Sequence, residues 1–280
     1  MTETIVANEP AIRLAIFFGV FLAVALCEAL FPRRQRAISR SLRWPSNIAA
    51  VVLNTALLRL LFPASMVLLA LAARDNGWGL LNQLALPGWV GVVVAMLMLD
   101  FAIYLQHVLF HAVPFLWRVH RMHHADLEFD VTTGVRFHPI EIGLSMAFKF
   151  VIVLALGPPV IAVLFFELLL NATSMFNHAN VKIPVRAERM LRLLLVTPDM
   201  HRVHHSIVAR ETNSNFGFNL PWWDRLLGTY RTAPAAGHED MTIGVDQFRD
   251  PCELRLGRML TQPFRGPSGY YPIHRNDVSR

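Results

Sequence analysis

"PGWVGVVVAMLMLDFAIYLQHVLFHAVPFLWRVHRMHH", Pro87–His124, couples an oily run directly to five histidines. The run carries no charge until Asp100 and continues apolar to about Phe110. About 20 helical residues cross a bilayer core. The stretch therefore predicts a membrane helix that delivers imidazoles to one membrane surface.

Similar runs surround it. One covers Ala11 to Phe31 and another Ile48 to Ala73, the latter interrupted by Arg59 and Pro63. A longer apolar region, Gly143 to Phe176, is broken by Gly157-Pro158-Pro159. Its length and that breaker predict a hairpin of two helices, about 141–156 and 159–176. The whole chain has 280 residues, 54% hydrophobic and 16% charged. Its mean hydropathy is +0.40. A soluble domain is about 25% charged, so the composition favours an integral membrane protein with a polar cap.

Charge position gives orientation. Five arginines lie in PRRQRAISRSLRW after Phe31, whereas the loop at about 74–86 holds only Arg74 and Asp75. Basic loops remain cytoplasmic. The predicted topology puts the N-terminus outside, 32–47 inside, and the histidine-bearing segments inside. The expected class is all-α: about three spans plus a helical hairpin, under a cytoplasmic histidine-rich cap. The expected parts are a membrane anchor over 1–96, a histidine-bearing domain over 97–231 that includes hairpin 141–176, and a cytoplasmic tail over 232–280. The N-terminus lacks the basic start of a secretory signal, so the first run is expected to stay as an anchor. The net charge of +6 fits membrane-facing basic loops. No Lys/Arg stripe with interleaved aromatics suggests nucleic acid. Cys27 and Cys252 form no disulfide or zinc-ribbon pattern. Segment 185–196 mixes arginine and leucine at helical spacing and suits either a membrane-surface helix or a helix packed on the cap.

None of the 12 histidines precedes residue 107. QHVLFH holds His107 and His111, RVHRMHH holds His120, His123 and His124, and DMHRVHH holds His201, His204 and His205. On a helix, residues i, i+3 and i+4 share a face. Each first-and-last pair aims at one point, and the remaining histidine reaches a neighbouring one. His138 in RFHPIE and His178 in FNHAN would bring the set to ten. His238 and His274 read as ordinary surface or core residues. Imidazole suits Zn, Cu, Fe and Ni, but ten ligands exceed a structural zinc site. The zinc-protease HExxH pattern is absent, as is the carboxylate-rich di-iron ExxH pattern. A two-metal site in an all-imidazole shell fits best. A zinc-dependent membrane hydrolase and a non-enzymatic metal-binding protein are the alternatives.

From DFAIYLQHVLFH through RVHRMHH, RFHPIE, FNHANV and TPDMHRVHH to WWDRLLGTY, roughly residues 97–231, the chain resembles the fatty acid hydroxylase/sterol desaturase superfamily. The resemblance implies an oxygen-dependent di-iron oxidoreductase that hydroxylates or desaturates a sterol, fatty acid or related lipid. It makes the eight grouped histidines iron ligands, with His138 and His178 carried over beside them. Some relatives carry a further histidine one turn before His178, where this chain has Ser174. No fused cytochrome b5-like motif is seen, so electrons would come from a separate partner such as a ferredoxin or cytochrome b5. The expected location is the cytoplasmic membrane if the chain is bacterial. Non-histidine candidates for the chemistry are Asp100, Tyr104, Glu141 and Asn171. Glu167, Asn171, Ser174 and His178 fall at i, i+4, i+7 and i+11, a polar stripe on an oily helix. Asp126, Glu141, Asp199 and Asp224, with Asp100, are candidates to orient imidazoles, and Asp199 also reads as a helix cap. Arg118, Arg121 and Arg202 read as interface anchors.

Overall fold

The computed structural model describes residues 2–269 and 271–273, with side chains from residue 8. His274 lies outside the described residues. Among them there is no strand beyond isolated bridges. The helices that place the site are α1 (Thr2–Leu30), α2 (Arg40–Leu61), α3 (Met66–Asp75), α4 (Gly88–Ala112), α5 (Pro114–His124), α6 (Pro139–Leu156), α7 (Val160–Asn177), α8 (Val185–Leu191) and α9 (Pro198–His204). Five helical segments are long and apolar enough to cross a membrane.

The hairpin is α6 and α7. It turns at Gly157, whose φ of +58° is left-handed. A Cβ on Gly79 would fall 2.2 Å from the Gly157 backbone nitrogen. Only glycines let that loop and the turn touch.

The apolar run Ile48–Ala73, which reads as one span in the sequence, is instead two helices. These are α2 and α3, parted at Phe62–Ser65. Pro63 cannot continue the hydrogen-bond ladder. Ser65 then restarts it by accepting from the Leu68 amide at 3.2 Å. The break lets α3 turn onto α6 and α7 and place Met66 and Val67 in the core with Leu99, Ile103 and Val163.

α1 packs on α7, and α2 packs on α6. Near the cap, α1 and α2 meet through the Arg40–Glu28 ion pair at 2.7 Å and the Phe21–Trp44 rings. Leu14, Phe18, Leu22, Leu26 and Leu30 recur every fourth residue on α1 and are all more than half exposed. That stripe is the surface expected against lipid acyl chains.

The cap is braced by buried ion pairs. Arg43 of α2 donates to both carboxylate oxygens of Asp126 at 2.7 Å and to Asp130 at 2.6 Å, with all three side chains fully buried. The C-terminal segment, which the sequence suggested as a mere tail, wraps α5. The Arg121 guanidinium donates to the carbonyls of Gln262, Arg265 and Pro267 and to Gln247. Arg118 donates to the Pro263 carbonyl, Trp117 to the Ser268 carbonyl, and Tyr271 stacks on Trp117. Arg202 is likewise buried, paired with Asp199 and lying over Phe129. These arginines hold the cap together and do not serve as interface anchors. Guanidinium supplies enough donors to satisfy several carbonyls at once. On α8 and beyond, Val185, Met190, Leu193 and Leu194 are more than half exposed.

Candidate metal centre

Four elements converge on one buried volume. α4 ends with His107 and His111, α5 carries His120, His123 and His124, His178 caps α7, and α9 carries His201 and His204 with His205 at its end. All nine are buried. They fall into two groups, His107, His111, His120, His124 and His204 in one and His123, His178, His201 and His205 in the other. Within each, the candidate donor nitrogens lie within 4.8 Å of one another.

Helical spacing explains the sorting. On α5 the i, i+4 pair His120 and His124 goes to the five-membered group, and His123 faces the other. From α9 the corresponding pair, His201 and His205, goes to the four-membered group, and His204 crosses over. Each HxxHH box therefore serves both groups.

Acceptors behind five of the nine rings fix their orientation, while Nδ1 of His123, His124, His201 and His205 is buried without a hydrogen-bond partner. The Nδ1–H of His107 donates to the Phe216 carbonyl at 2.8 Å, that of His204 to the Ser214 carbonyl at 2.8 Å, and that of His178 to the Ser174 carbonyl at 2.7 Å. His120 donates from Nδ1 to Glu141 at 2.6 Å, and His111 to the Asn213 carboxamide oxygen at 3.1 Å. A proton on Nδ1 leaves a neutral ring with its lone pair on Nε2, the donor tautomer of a metal ligand.

Those lone pairs face each other. The Nε2 atoms of His107 and His120 are 3.2 Å apart, as are those of His120 and His124. Nε2 of His178 lies 3.1 to 3.2 Å from Nε2 of His123, His201 and His205. Nε2 of His111 and of His204 has no hydrogen-bond partner although buried. Burial, reinforced by neighbouring imidazoles, holds His123, His124, His201, His204 and His205 well below the ordinary histidine value. Burial takes His178 down to about 4. Protons therefore do not relieve the crowding of lone pairs. Cations would, and the donor set fits metals that accept imidazole nitrogen.

His138, expected among the ligands, lies in neither group. Its Nδ1 accepts from the Ile140 amide as the N-cap of α6, and its Nε2 contacts the Leu260 carbonyl at 3.2 Å. With Nδ1 accepting at the α6 N-terminus, the His138 ring is engaged as a cap. His238 lies apart from both groups, 3.9 Å from Asp199.

Asp100 and Tyr104, expected near the chemistry, share the α4 face of His107 and His111 but lie two turns and one turn before His107, where they bond the 216–230 loop. Asp100 accepts from Asn219, the Leu220 amide and Trp223. Tyr104 bonds Thr229 at 2.9 Å. Both hold the 216–230 loop against α4, and neither lines the large cavity beside the histidines. Asp224 accepts from the amides of Phe216 and Gly217 and from the Thr229 hydroxyl. It thus fixes the loop whose carbonyls orient His107 and His204. The N-cap of α9 is Thr197, while Asp199 pairs with Arg202 and Arg33. The carbonyl acceptors behind His107, His178 and His204 carry no side-chain signal, so sequence reasoning misses them.

That cavity, of about 900 Å³, runs from the histidines into the membrane helices. His107 and His120 form part of its wall, with Glu141 beside them and Gln106, Phe110, Asn171 and Ser174 around. The other seven clustered histidines do not line it. Its wall on α1 and α2 includes Leu14, Phe18 and Val52, each more than half exposed. The cavity thus borders the lipid-facing surface where α1 and α2 diverge.

The fatty acid hydroxylase family matches residues 92–229, which contain all nine clustered histidines. This histidine-bearing segment, just under half of the chain, is what resembles the family. The ornithine lipid hydroxylase OlsE of Rhizobium tropici is 29% identical over 237 residues, covering 81% of this chain and 70% of that protein. Human alkylglycerol monooxygenase is 32% identical over 168 residues, 60% of this chain and 36% of that protein. Rat cholesterol 25-hydroxylase is 28% identical over 179 residues, 61% of this chain and 57% of that protein. The chain thus spans little more than a third of the alkylglycerol enzyme's length. No solved structure matches. These relatives are lipid hydroxylases and monooxygenases, which supports an oxygen-dependent lipid oxidoreductase over the hydrolase and metal-carrier alternatives.

Proposed function

We propose that this enzyme hydroxylates a lipid drawn from the bilayer, using two irons held by the two histidine groups. The observation that carries the reading is the set of nine buried imidazoles beside a cavity that reaches the lipid-facing surface. His107, His111, His120, His124 and His204 would hold one iron, and His123, His178, His201 and His205 the other. Bound there, the metals would supply an oxidant able to take hydrogen from an unactivated C–H bond with O2.

The protein's own part is positioning. His107 and His120 put the five-histidine group on the cavity wall, so the reacting carbon belongs there. Glu141 accepts from His120 through Oε1 and keeps Oε2 buried without a partner at the same wall. It orients His120 and is placed to hold a proton at Oε2. Phe110, Phe137 and Phe218 line the cavity with apolar rings beside His107 and His120. Excluding water protects a strong oxidant from side reactions. Asn171 lines the cavity while bonding the Glu167 carbonyl, so its part is to shape the wall.

The five arginines after Phe31 support a cytoplasmic cap. Electrons would then arrive there from a separate redox protein such as a ferredoxin or cytochrome b5. Metal analysis of the purified enzyme should give about two irons per chain. Lipids of cells expressing it should gain a species heavier by one oxygen, absent under argon and absent with His120→Ala or His205→Ala. Stoichiometric zinc after iron-replete expression, with no oxygen-dependent product, would overturn the reading.

A further inference from the structure

The far end of the cavity is charged. Glu9 and Arg13 of α1, Lys149 of α6 and Glu167 of α7 all line it. Arg13 donates through Nε to Glu9 at 2.8 Å and through Nη2 to Glu167. The Ser65 hydroxyl donates to the second oxygen of Glu9 at 3.2 Å. One guanidinium is thereby shared by two carboxylates. Lys149 makes no hydrogen bond or ion pair among the described residues. With Glu167 it lines both the main cavity and a small adjoining void bounded by Met66, Leu99 and Phe166.

Ionisable side chains within a membrane are costly and mark functional positions. Arg13 with its two acids accounts for three of the four charges as internal partners. Lys149 cancels the remaining negative charge without spending any of its three N–H donors. Those donors share a cavity wall with the carboxylate of Glu167. Lys149 lies eight residues beyond Glu141 on α6, about 12 Å deeper at about 1.5 Å per residue.

We propose that the Lys149–Glu167 end of the cavity binds the hydroxyl of an amphiphilic substrate and so sets which carbon reaches His107 and His120. This rests on the lipid-hydroxylase reading. The sum of charges selects a hydroxyl. Arg59 of α2 also lines the cavity but is exposed. The other four groups, Glu9, Arg13, Lys149 and Glu167, cancel, so an occupant carrying a carboxylate or ammonium among them would leave one charge unbalanced in a poorly solvated site. An alkane would leave the ammonium without an acceptor. A hydroxyl accepts from Lys149 and donates to Glu167, and adds no charge.

The full-length enzyme in detergent can be tested by equilibrium dialysis with radiolabelled 1-hexadecanol, palmitate and hexadecane. Hexadecanol is expected to bind about tenfold more tightly than either other probe. In Lys149→Met and Glu167→Gln its affinity should fall to that of hexadecane, with hexadecane binding and iron content unchanged. Lys149→Arg should keep part of the preference. Tighter binding of palmitate, an unchanged alcohol preference in Lys149→Met, or joint loss of alcohol and alkane binding would overturn the assignment. Iron content and oxygen-dependent product are measured on the same preparation. An enzyme without iron that still prefers the alcohol would refute the di-iron reading and leave the hydroxyl subsite standing.

Discussion

Glu141 illustrates how one carboxylate acts through its neighbour. Its Oε1 sits 2.6 Å from Nδ1 of His120, and its Oε2 has no partner. Removing an acceptor behind a metal-ligating histidine costs about 10–100-fold in metal affinity or activity. Glu141→Ala should therefore lower iron occupancy or turnover by that order, with Glu141→Gln milder because its amide oxygen still accepts. Iron per chain and initial rate read the two effects separately. Equal iron and equal rate in Glu141→Ala would remove it from the site. Gly134 is constrained by space. A Cβ there would lie 2.5 Å from the Ser174 carbonyl oxygen and 3.0 Å from Nδ1 of His178. Overpacking of this kind costs about 1–3 kcal/mol. Gly134→Ala should lower the thermal midpoint and displace His178, seen as reduced iron content in the folded protein. At this scale the sequence points to the grouped histidines, because HxxxH and HxxHH spacings define faces. It does not separate His138 from His178. Each is a single histidine beside a motif, and only the fold shows that one caps α6 while the other enters the four-membered group.

Among the elements, α5 and α9 carry the same HxxHH pattern, and each divides its histidines between the two groups. Both helices are short, at 11 and 7 residues. Isolated helices of that length are marginal in water, so tertiary contacts hold them, and the proposed metals would add to that. Arg121 on α5 is anchored by the C-terminal segment, and α9 starts from Thr197, which accepts from the Met200 amide at 3.4 Å. Metal removal by a chelator should therefore loosen α9 before the membrane helices. Hydrogen exchange should rise across 198–205 and stay low within α4 and α7, and uniform protection after complete iron loss would contradict this. Apolar run length and the Gly157-Pro158-Pro159 breaker suffice to expose the membrane helices and the α6–α7 hairpin. The α2–α3 break is harder to read, since a proline in an apolar run permits either a kink or a stop. Packing of α3 on α6 and α7 chooses the stop.

On the scale of the whole molecule, the cap depends on a charge network that ties α2 to the segment after α5. Burial pushes the Asp126 carboxyl up, but the Arg43 and Arg136 guanidiniums outweigh it and hold it well below the usual carboxylate range. A carboxylate depressed in the folded state contributes stability above its unfolded value of about 3.9 and loses it as pH falls further. Thermal midpoints in detergent should therefore drop steeply on acidification below about pH 4. Asp126→Asn should start lower at pH 7, because it leaves a buried guanidinium short of a partner. Its acid limb should also be shallower, and an equally steep limb would assign acid sensitivity to other groups.

By itself, the sequence determined that this chain carries helices able to enter a membrane and imidazoles grouped at metal-ligand spacing. Both follow from local chemistry: oily runs of bilayer length, and side chains whose helical spacing converges. Its ordered boxes also carry the resemblance to the fatty acid hydroxylase family. Tertiary structure alone decided which histidine joins which group, that His138 joins neither, and that Asp100 and Tyr104 brace a loop behind the site. It also decided that Arg13, Lys149 and Glu167, separated by up to 154 residues, meet at the foot of one cavity. These outcomes depend on which faces of distant helices are pressed together, and no local spacing encodes that.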